Sequence, residues 1–393
     1  MLMDFSFTPE QERLRLEVRK FLQKEVTDES RLDFRFDRPY SQDTWRLLRK
    51  LGERGWLCPL YPKEWGGMAA SPLDNYVIQD ELSCAFAPSP FAVIGAMVVG
   101  PTLLIHGNEA QKKKYLPMIA HGEVEFSMGY TEPGSGSDLA SLSLKAEDKG
   151  DYYLLNGQKM FSTKADFADY GWVAVRTDLE NPKKHKGISL LIIDLKNTKG
   201  LTIRPIYNMS GYHSTEVFYD DVKVPKENLV GDLNNGFYII GAALLFERAV
   251  TISGFRRPLE LLIEYCKTTK RNGKPLSADP LIRRKLADIE MKLEVTRVLS
   301  YRLSWMQVHK MFTLTEVAVT KLLSTEMVTC DLANTGMQIL GHYGELVPGS
   351  KWAELHGWFA HMYQEAPHYK IAGGTSEIQR QIIATRTLGL PRG

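Results

Sequence analysis

The sequence has 393 residues, and its 49 basic and 47 acidic side chains give a formal net charge of +2. That length suffices for two or three domains or for one large one, and the balanced charge argues against a nucleic-acid-binding protein. The polar, acidic start lacks the features of a signal peptide and no apolar run reaches membrane-spanning length. We therefore expect a cytoplasmic protein without membrane insertion.

Residues 1–124 have the periodicity of helices. Thr8 opens a capping-box pattern with proline at the first helical position, and this helix is expected to end near Val26. Further helices are predicted over residues 43–55, 73–87, 91–104 and 109–122. We expect an all-α N-terminal domain.

Residues 125–232 predict strands, because short runs of β-branched and aromatic residues alternate with turn signals. Asn156 and Gly157 are typical of a hairpin turn. The predicted strands cover 151–158, 171–176, 188–194, 201–204 and 216–222. Strands without intervening helices favour an antiparallel barrel or sandwich.

The helical period returns in residues 233–393 and holds to the end. Long helices are predicted over 237–265, 281–311, 313–340 and 376–388, which indicates a C-terminal four-helix bundle. The predicted fold class is therefore α+β, with an N-terminal helical domain, a central antiparallel β-barrel domain and a C-terminal helical bundle.

The cysteines give no sign of a disulfide framework or of a metal site. None belongs to a CxxC pair and none lies near a histidine cluster, which predicts reduced thiols and no bound metal. They are Cys58, Cys84, Cys266 and Cys330.

The segment TEPGSGSD, residues 131–138, is the loop most suggestive of ligand binding. Its proline and glycines permit turns that expose backbone N–H groups, and its hydroxyl side chains add donors. Such a loop suits a phosphate or the polar edge of a heteroaromatic ring. An ordinary turn at the start of the β domain is the alternative.

Two other clusters could also meet a ligand. KMFST, residues 159–163, pairs an aromatic ring with a hydroxyl that could flank a flat cofactor, although Phe161 alone would be expected in the core. IAGGTSEIQR, residues 371–380, has two glycines that allow close backbone approach before a helix that Thr375 begins, and helix N-termini attract anions. An ordinary glycine-rich helix cap is the alternative.

These clusters, in this order within an α–β–α chain, resemble the acyl-CoA dehydrogenase family over essentially the whole sequence. The resemblance implies removal of two hydrogens across the Cα–Cβ bond of an acyl-CoA thioester, as in β-oxidation. It also implies FAD, electron transfer flavoprotein as acceptor and a homotetramer. Other stretches similar to the family are YPKEWGG at 61–67, GNEAQKKKYLP at 107–117 and EVFYDDVKVP at 216–225.

The resemblance also implies which residues contact the cofactor. The backbone near Tyr130 and the Thr131 hydroxyl should meet the flavin, and Thr163 should hydrogen-bond near flavin N5. Phe161 stands where the family often has tryptophan. The other expected contacts are Gly136 and Ser137 with the flavin phosphates and the CoA arm, Gln338 and Gly341 with the adenosine half of a neighbouring subunit's FAD, and Thr375 and Glu377 with the FAD pyrophosphate and ribose.

The catalytic base departs from the commonest family pattern. Proton removal from the thioester α-carbon needs a carboxylate, which most members carry at the position of Gly373 in this sequence. The isovaleryl-type and long-chain-type enzymes place it on the helix that opens the C-terminal domain, where this chain has Glu247 in an apolar run. Desolvation there would raise its pKa toward that of a usable base. A solvent-facing charge beside Arg248 is the alternative; Arg248 is a candidate CoA contact.

Two further features bear on cofactor and substrate. Thr269 replaces an arginine that in many relatives reaches the FAD pyrophosphate, and Lys270 or Arg271 could compensate. Ala372 and Gly373 are small, and the predicted helix over 91–104, which should wall the acyl pocket, contains Gly95, Ala96 and Gly100. A roomy pocket suits a branched, alicyclic or otherwise bulky acyl group, although glycines also serve tight helix packing.

Two rival functions remain. The same fold includes acyl-CoA oxidases, which pass electrons to oxygen but are commonly longer. The missing acid at Gly373 and the replacement at Thr269 also fit a catalytically silent subunit of a hetero-oligomer, against which Glu247 counts.

Overall fold

A computed structural model of the protein describes residues 5–36, 38–88, 93–211, 213–248, 253–311 and 313–391. At residues 35, 213, 244–248, 253 and 327 it describes the backbone alone. The chain divides into two units. Their segments are Met1–Phe36, Ser71–Ala87 and Arg248–Gly393 for the first unit, and Asp37–Ala70 and Pro88–Glu247 for the second.

The first unit is helical and carries one small hairpin. Its helices are α1 (Pro9–Glu25), α2 (Asp28–Arg35), α4 (Pro72–Cys84), α8 (Ser253–Thr268), α9 (Pro280–Val308), α10 (Leu314–Leu322), α11 (Cys330–Leu340), α12 (Trp358–Tyr369) and α13 (Ser376–Ile382), and the hairpin strands are β8 (Lys270–Arg271) and β9 (Lys274–Pro275). Leu262, Ile289, Leu332 and Phe359 form the centre of its core. A Cβ added to Gly336 would lie 1.9 Å from the Phe359 ring, so α11 and α12 pack closely because this residue is glycine.

The second unit is a curled seven-stranded sheet with helices. Its elements are α3 (Gln42–Glu53), α5 (Gly100–His106), α6 (Glu109–Ala120), β1 (Phe126–Gly129), β2 (Lys145–Asp148), β3 (Tyr152–Lys159), β4 (Tyr170–Arg176), β5 (Ile188–Asp194), β6 (Leu201–Tyr207), β7 (His213–Pro225) and α7 (Gly236–Arg248). The strand order is β1-β4-β2-β3-β7-β6, with β5 paired to β4. Leu155, Val175, Leu191 and Val222 are fully buried in its core.

Most predicted elements are confirmed. The Thr8 hydroxyl accepts from the Gln11 amide and the Gln11 side chain accepts from the Thr8 amide, which completes the predicted capping box of α1. The predicted helix over 313–340 is α10 and α11 joined by a π-helical segment, Leu323–Thr329. The predicted helix over 91–104 begins outside the described residues and continues as a π segment, Gly95–Val99, into α5. None of the described helices is long and apolar enough to cross a membrane.

Two predictions about the sheet differ from the structure. Asn156 and Gly157 do not form a hairpin turn but lie in the middle of β3, where the pairing with β7 shifts register between Leu155 and Gly157. Gly157 has a φ of +145°, so the glycine serves a β-bulge there. The pairing is also mixed, because β1 and β2 both run parallel to β4.

The division of the chain into 1–124, 125–232 and 233–393 stays a prediction. All four cysteines are free; Cys58 and Cys266 are buried and the other two are half-buried.

Candidate active site

A buried ion pair fixes the loop at residues 131–138. The Glu132 carboxylate accepts from Lys159 Nζ at 2.8 Å, from the Ser143 amide at 2.6 Å and from the Leu144 amide at 2.8 Å. The Lys159 side chain is completely buried, and its ammonium also donates to the Tyr130 carbonyl at 3.2 Å. Burial would raise the pKa of Glu132, but the Lys159 charge and the amide donors outweigh it and lower that pKa. Burial also lowers the pKa of Lys159 to about 8.

The tip of the same loop presents unused donors. Glu132 and Ser135 exchange backbone hydrogen bonds of 2.8 and 3.1 Å, which close a tight turn. Among the described residues, the amides of Gly136 and Ser137 donate to no protein group. A Cβ added to Gly134 or Gly136 would meet nothing within 4 Å. Neither glycine adopts a left-handed φ, so their role here is open space for a ligand and not a conformational demand.

The turn at 159–163 lies directly beside this loop. The Met160 amide donates to the Thr131 carbonyl at 2.8 Å, which joins the two segments. The Ser162 amide donates to the Thr215 carbonyl at 2.9 Å, and the buried Thr215 hydroxyl donates to the Ser162 carbonyl at 2.5 Å. Phe161, between these anchors, has a φ of +54° and is 57% exposed. An exposed phenyl ring on a strained residue is typical of a ligand contact.

Two hydroxyls on these two segments are available to a ligand. Thr131 and Thr163 are both half-buried, and their hydroxyls make no hydrogen bond to another described residue. Thr163 lies two residues after Phe161, and Thr131 is joined to the same turn through the Met160 amide. This donor set fits the polar edge of a flavin ring flanked by Phe161. The structure thus brings together two of the three clusters that the sequence singles out.

The glycines predicted to wall the acyl pocket are closely packed. A Cβ on Gly100 would lie 1.4 Å from the Tyr61 hydroxyl, so this glycine makes room for a buried tyrosine. A Cβ on Gly95 would lie 3.2 Å from the Phe126 ring and 3.4 Å from Ile119. Tight packing, the alternative given for these glycines, accounts for Gly100. The role of Gly95 as a pocket residue stays a prediction.

The third cluster lies in the helical unit and forms a double-glycine turn. Gly373 and Gly374 have φ values of +64° and +90°. Thr375 caps α13 by accepting from the Ile378 amide at 3.2 Å, as its position predicts. The Gly374 carbonyl accepts from the buried Lys321 ammonium and, at 3.0 Å, from the buried Gln379 amide. Ala372 is half-buried and Glu377 is exposed.

The end of α11, in the same unit, carries two more predicted cofactor residues. Gly341 has a φ of +59° and an added Cβ there would meet nothing within 4 Å. Gln338 is exposed and accepts from the Lys285 ammonium. Arg271, in the hairpin after Thr269, donates to the Ile339 carbonyl at 3.2 Å. Of the two cations that could replace the missing arginine, Arg271 therefore lies beside the predicted adenosine residues.

The predicted catalytic residues of α7 lie largely outside the described part of the chain. The backbone of α7 extends through Arg248, so Glu247 and Arg248 are in its last turn. Their side chains are not described. Among the described residues, no group of three or more histidine, cysteine, aspartate or glutamate side chains could hold a metal ion.

Three family models match the chain along its length. They are the acyl-CoA dehydrogenase N-terminal domain over residues 8–123, the middle domain over 127–222 and the C-terminal domain over 234–388. The chain belongs to the acyl-CoA dehydrogenase family and is an oxidoreductase of that family.

Similar proteins include a curated mycobacterial relative and two solved structures. The acyl-CoA dehydrogenase FadE26 of Mycobacterium tuberculosis is 34% identical over 99% of both chains. A solved structure described as the Tcur3481-Tcur3483 steroid ACAD is 35% identical, covers all of both chains and has a TM-score of 0.91. The ChsE4-ChsE5 complex from Mycobacterium tuberculosis is 35% identical over all of both chains, with a TM-score of 0.89.

The sequence did not reveal the buried residues whose hydrogen bonds fix the predicted contact segments in place. Lys159, Glu132, Thr215 and Lys321 are buried and fix the segments that carry the predicted contacts. One signal was present: Tyr153, Leu155 and Lys159 all fall on the inward side of the β3 alternation. A lysine at an inward strand position predicts a buried partner.

Proposed function

We propose that the protein is an FAD-dependent acyl-CoA dehydrogenase that oxidises an acyl-CoA thioester to the 2-enoyl-CoA and passes the electrons to electron transfer flavoprotein. The observation that carries this proposal is that the exposed Phe161 ring and the half-buried Thr131 and Thr163 lie on two segments that the hydrogen bond from Met160 to Thr131 joins. Bound FAD supplies a hydride acceptor. The protein must then position that acceptor, polarise the thioester and remove the α-proton.

The residues of the second unit suit the first of these tasks, the positioning of the hydride acceptor. The Thr131 and Thr163 hydroxyls can hydrogen-bond the polar edge of the flavin, and the exposed Phe161 ring can lie against it. Tyr130 contributes backbone, and the amides of Gly136 and Ser137, which donate to no described residue, can hydrogen-bond phosphate or the CoA arm. In the helical unit, Gln338, Gly341, Thr375 and Glu377 are proposed contacts for the adenosine and pyrophosphate half.

Glu247 is the proposed base. Gly373 has no side chain, so the position used by most relatives holds no carboxylate. Glu247 is the only acid between Asp232 and Glu260. Position 247 lies one helical turn beyond Ala243 and two beyond Ile240, which are both buried. Residues 237–246 carry no charged side chain, and desolvation in such an apolar run would raise the pKa of a carboxylate toward that of a usable base; Arg248 next to it is a proposed CoA contact.

A bulky, alicyclic acyl group is the proposed substrate class. Similarity to a steroid acyl-CoA dehydrogenase over the whole chain supports it. The small residues Ala372 and Gly373 in a half-buried turn also support it, because they leave space where relatives often have larger side chains. Gly95 is a further proposed residue of the acyl pocket.

Two assembly forms are compatible with these residues. A homotetramer is our proposal, because Gln338 and Gly341 are expected to serve a neighbour's cofactor. The similarity to the ChsE4-ChsE5 complex favours a hetero-oligomer as the second candidate. Mass measurement by light scattering of the protein purified alone separates the two. A catalytically competent homotetramer would exclude the need for a second kind of chain.

Flavin bleaching tests the function directly. The purified protein, supplied with FAD, is mixed anaerobically with a panel of acyl-CoA thioesters that runs from short linear chains to steroid side-chain esters. We expect loss of the flavin absorbance with the bulky esters and transfer of electrons to an artificial acceptor. Peroxide production in air at the same rate would indicate an oxidase. A protein that takes up no FAD under any condition would refute the proposal.

A further inference from the structure

Next to the Phe161–Thr163 turn lies a set of three polar side chains, here named the Glu125 cluster: Tyr40, Glu125 and Lys164, of which Glu125 is buried and the other two are half-buried. The Glu125 carboxylate is completely buried. It accepts from the Tyr40 hydroxyl at 2.7 Å, from Lys164 Nζ at 2.9 Å and from the Phe126 amide at 2.9 Å. The Lys164 ammonium also donates to the Tyr40 hydroxyl at 2.5 Å and lies 4.6 Å from the centre of its ring.

The cluster fixes the end of the turn that carries Thr163. Lys164 follows Thr163 directly and has a φ of +68°, an uncommon backbone conformation for a lysine. Its carbonyl accepts from the amides of Phe167 and Ala168 at 3.1 and 2.8 Å, and its side chain runs back into the interior, where only 15% remains exposed. Hydrogen bonds therefore hold both the backbone and the side-chain end of Lys164.

The same carboxylate also contacts two other segments that the proposed site uses. Phe126, whose amide donates to Glu125, opens β1, and β1 leads directly to Tyr130 and Thr131. The Gly95 amide, at the start of the π segment, donates to Glu125 at 3.4 Å. One carboxylate thus joins the Phe161–Thr163 turn, the strand before the 131–138 loop and the helix expected to wall the acyl pocket.

We propose that Glu125 and Lys164 are positioning residues for the flavin. Their ion pair sets where the Thr163 hydroxyl and the Phe161 ring stand relative to the isoalloxazine, and it couples this placement to the segment at Gly95. The inference rests on the proposed function, because it concerns residues that act on bound FAD through the turn. Neither residue touches substrate or reacting atoms in this proposal.

The proposal depends on the cost of leaving a buried charge alone. Lys164→Met removes the cation but keeps the length of the side chain, so a completely buried carboxylate loses its counter-charge. The segment can relax by moving, or the Glu125 carboxylate can take up a proton. Either change alters the electrostatic field and the hydrogen bonds at the Phe161–Thr163 turn. Adding Glu125→Gln to Lys164→Met removes the unpaired charge and should restore most of the original position of the Phe161–Thr163 turn.

The test measures the flavin itself. Wild type, Lys164→Met, Lys164→Arg, Glu125→Gln and the double variant Glu125→Gln/Lys164→Met are loaded with FAD. The flavin absorption spectrum, its midpoint potential against reference dyes and the rate of its reduction by an acyl-CoA are recorded, together with the melting temperature. Lys226→Met is the matched control, because Lys226 pairs with Asp148 on the surface, with 36% and 56% of the side chains exposed.

We expect Lys164→Met to shift the midpoint potential by at least about 30 mV, which is a tenfold change for a two-electron couple. Flavin reduction should slow by on the order of a hundredfold, the loss that a displacement of about 1 Å can cause. The double variant should recover most of both properties and Lys164→Arg should keep them. The control should match wild type.

Several outcomes would overturn the inference. If Lys164→Met and the double variant lower only the melting temperature and keep the wild-type spectrum and potential, the cluster has a structural role alone. Should Lys164→Met fail to fold, the double variant decides the question: a potential shifted as far as that of Glu125→Gln alone would mean that the lysine charge does not matter. Wild type without FAD uptake would instead refute the cofactor assignment.

Discussion

The buried pair of Lys159 and Glu132 gives the sharpest test of how the site is supported. Lys159→Met keeps a similar apolar stem but removes the ammonium that contacts Glu132 and the Tyr130 carbonyl. Both charged side chains are at least 96% buried, since their exposed fractions are 0% and 4%. Breaking a buried pair by removing one partner typically costs about 3–5 kcal/mol. The amides of Ser143 and Leu144 still solvate Glu132, so we expect a loss near the lower end, about 3 kcal/mol.

Urea unfolding of the apoprotein, followed by tryptophan fluorescence, measures this loss without a contribution from cofactor binding. The loss should also depend on pH. Because the folded-state pKa of Glu132 lies below its ordinary value of 4.5, its stabilisation is present above that pH and disappears as the pH falls through the lowered value. The difference between wild type and Lys159→Met should therefore begin to shrink as the pH falls below about 4.5, and it should be lost once the pH is below the lowered folded-state pKa, where the carboxylate is neutral in the folded protein too.

The matched comparison is Lys226→Met, at the exposed pair with Asp148. Exposed pairs contribute about 0–1 kcal/mol, so this variant should be close to wild type. If Lys159→Met were no more destabilised than Lys226→Met, the buried pair would not anchor the 131–138 loop, and the reasoning about Thr131 would fail with it.

Three further changes are expected to have distinct effects. Glu247→Gln should keep FAD and acyl-CoA binding but slow flavin reduction by at least about 10²–10⁴-fold, because glutamine cannot accept the α-proton; stopped-flow reduction near the wild-type rate would assign the base elsewhere. Thr215→Val removes one hydrogen bond to the Ser162 carbonyl and should lower the free energy of unfolding by about 1–3 kcal/mol, measured in urea, with weaker FAD retention. Lys321→Met leaves the Gly374 carbonyl with Gln379 as its amide donor and should lower the melting temperature without removing FAD; an unchanged melting temperature would show that this contact is dispensable.

Local signals predicted the parts of the fold that local chemistry determines. The capping pattern at Thr8 and the β-branched run of β5 gave the right elements because each depends on neighbouring residues alone. Helix α12 was missed because it begins after Gly357, which has a φ of +73°, and has no side-chain cap to signal its start. Strand β1, FSMG, lacks an alternating pattern and owes its pairing to β4. Such elements depend on tertiary contacts.

The contacts within the site were predictable to a different extent. Glycines and hydroxyls in short motifs indicated which loops could meet a ligand, and the structure places two of these loops side by side through one hydrogen bond from Met160 to Thr131. The charges that fix them were not predictable, because Lys159 lies 27 residues from Glu132 and Lys164 lies 39 residues from Glu125. Pairing over such distances is set by the sheet and not by sequence spacing.

The backbone at Gly373 bears on the choice between the two positions for the base. With a φ of +64°, this residue is in the left-handed region, where a side chain other than glycine costs of order 1–3 kcal/mol. The next residue, Gly374, has a φ of +90° and its carbonyl is held by Lys321 and Gln379, so the turn has little freedom to relax. A glutamate introduced at 373 would therefore be strained as the chain now stands. A turn built in this way suits a protein whose carboxylate comes from elsewhere, which is consistent with Glu247 as the proposed base.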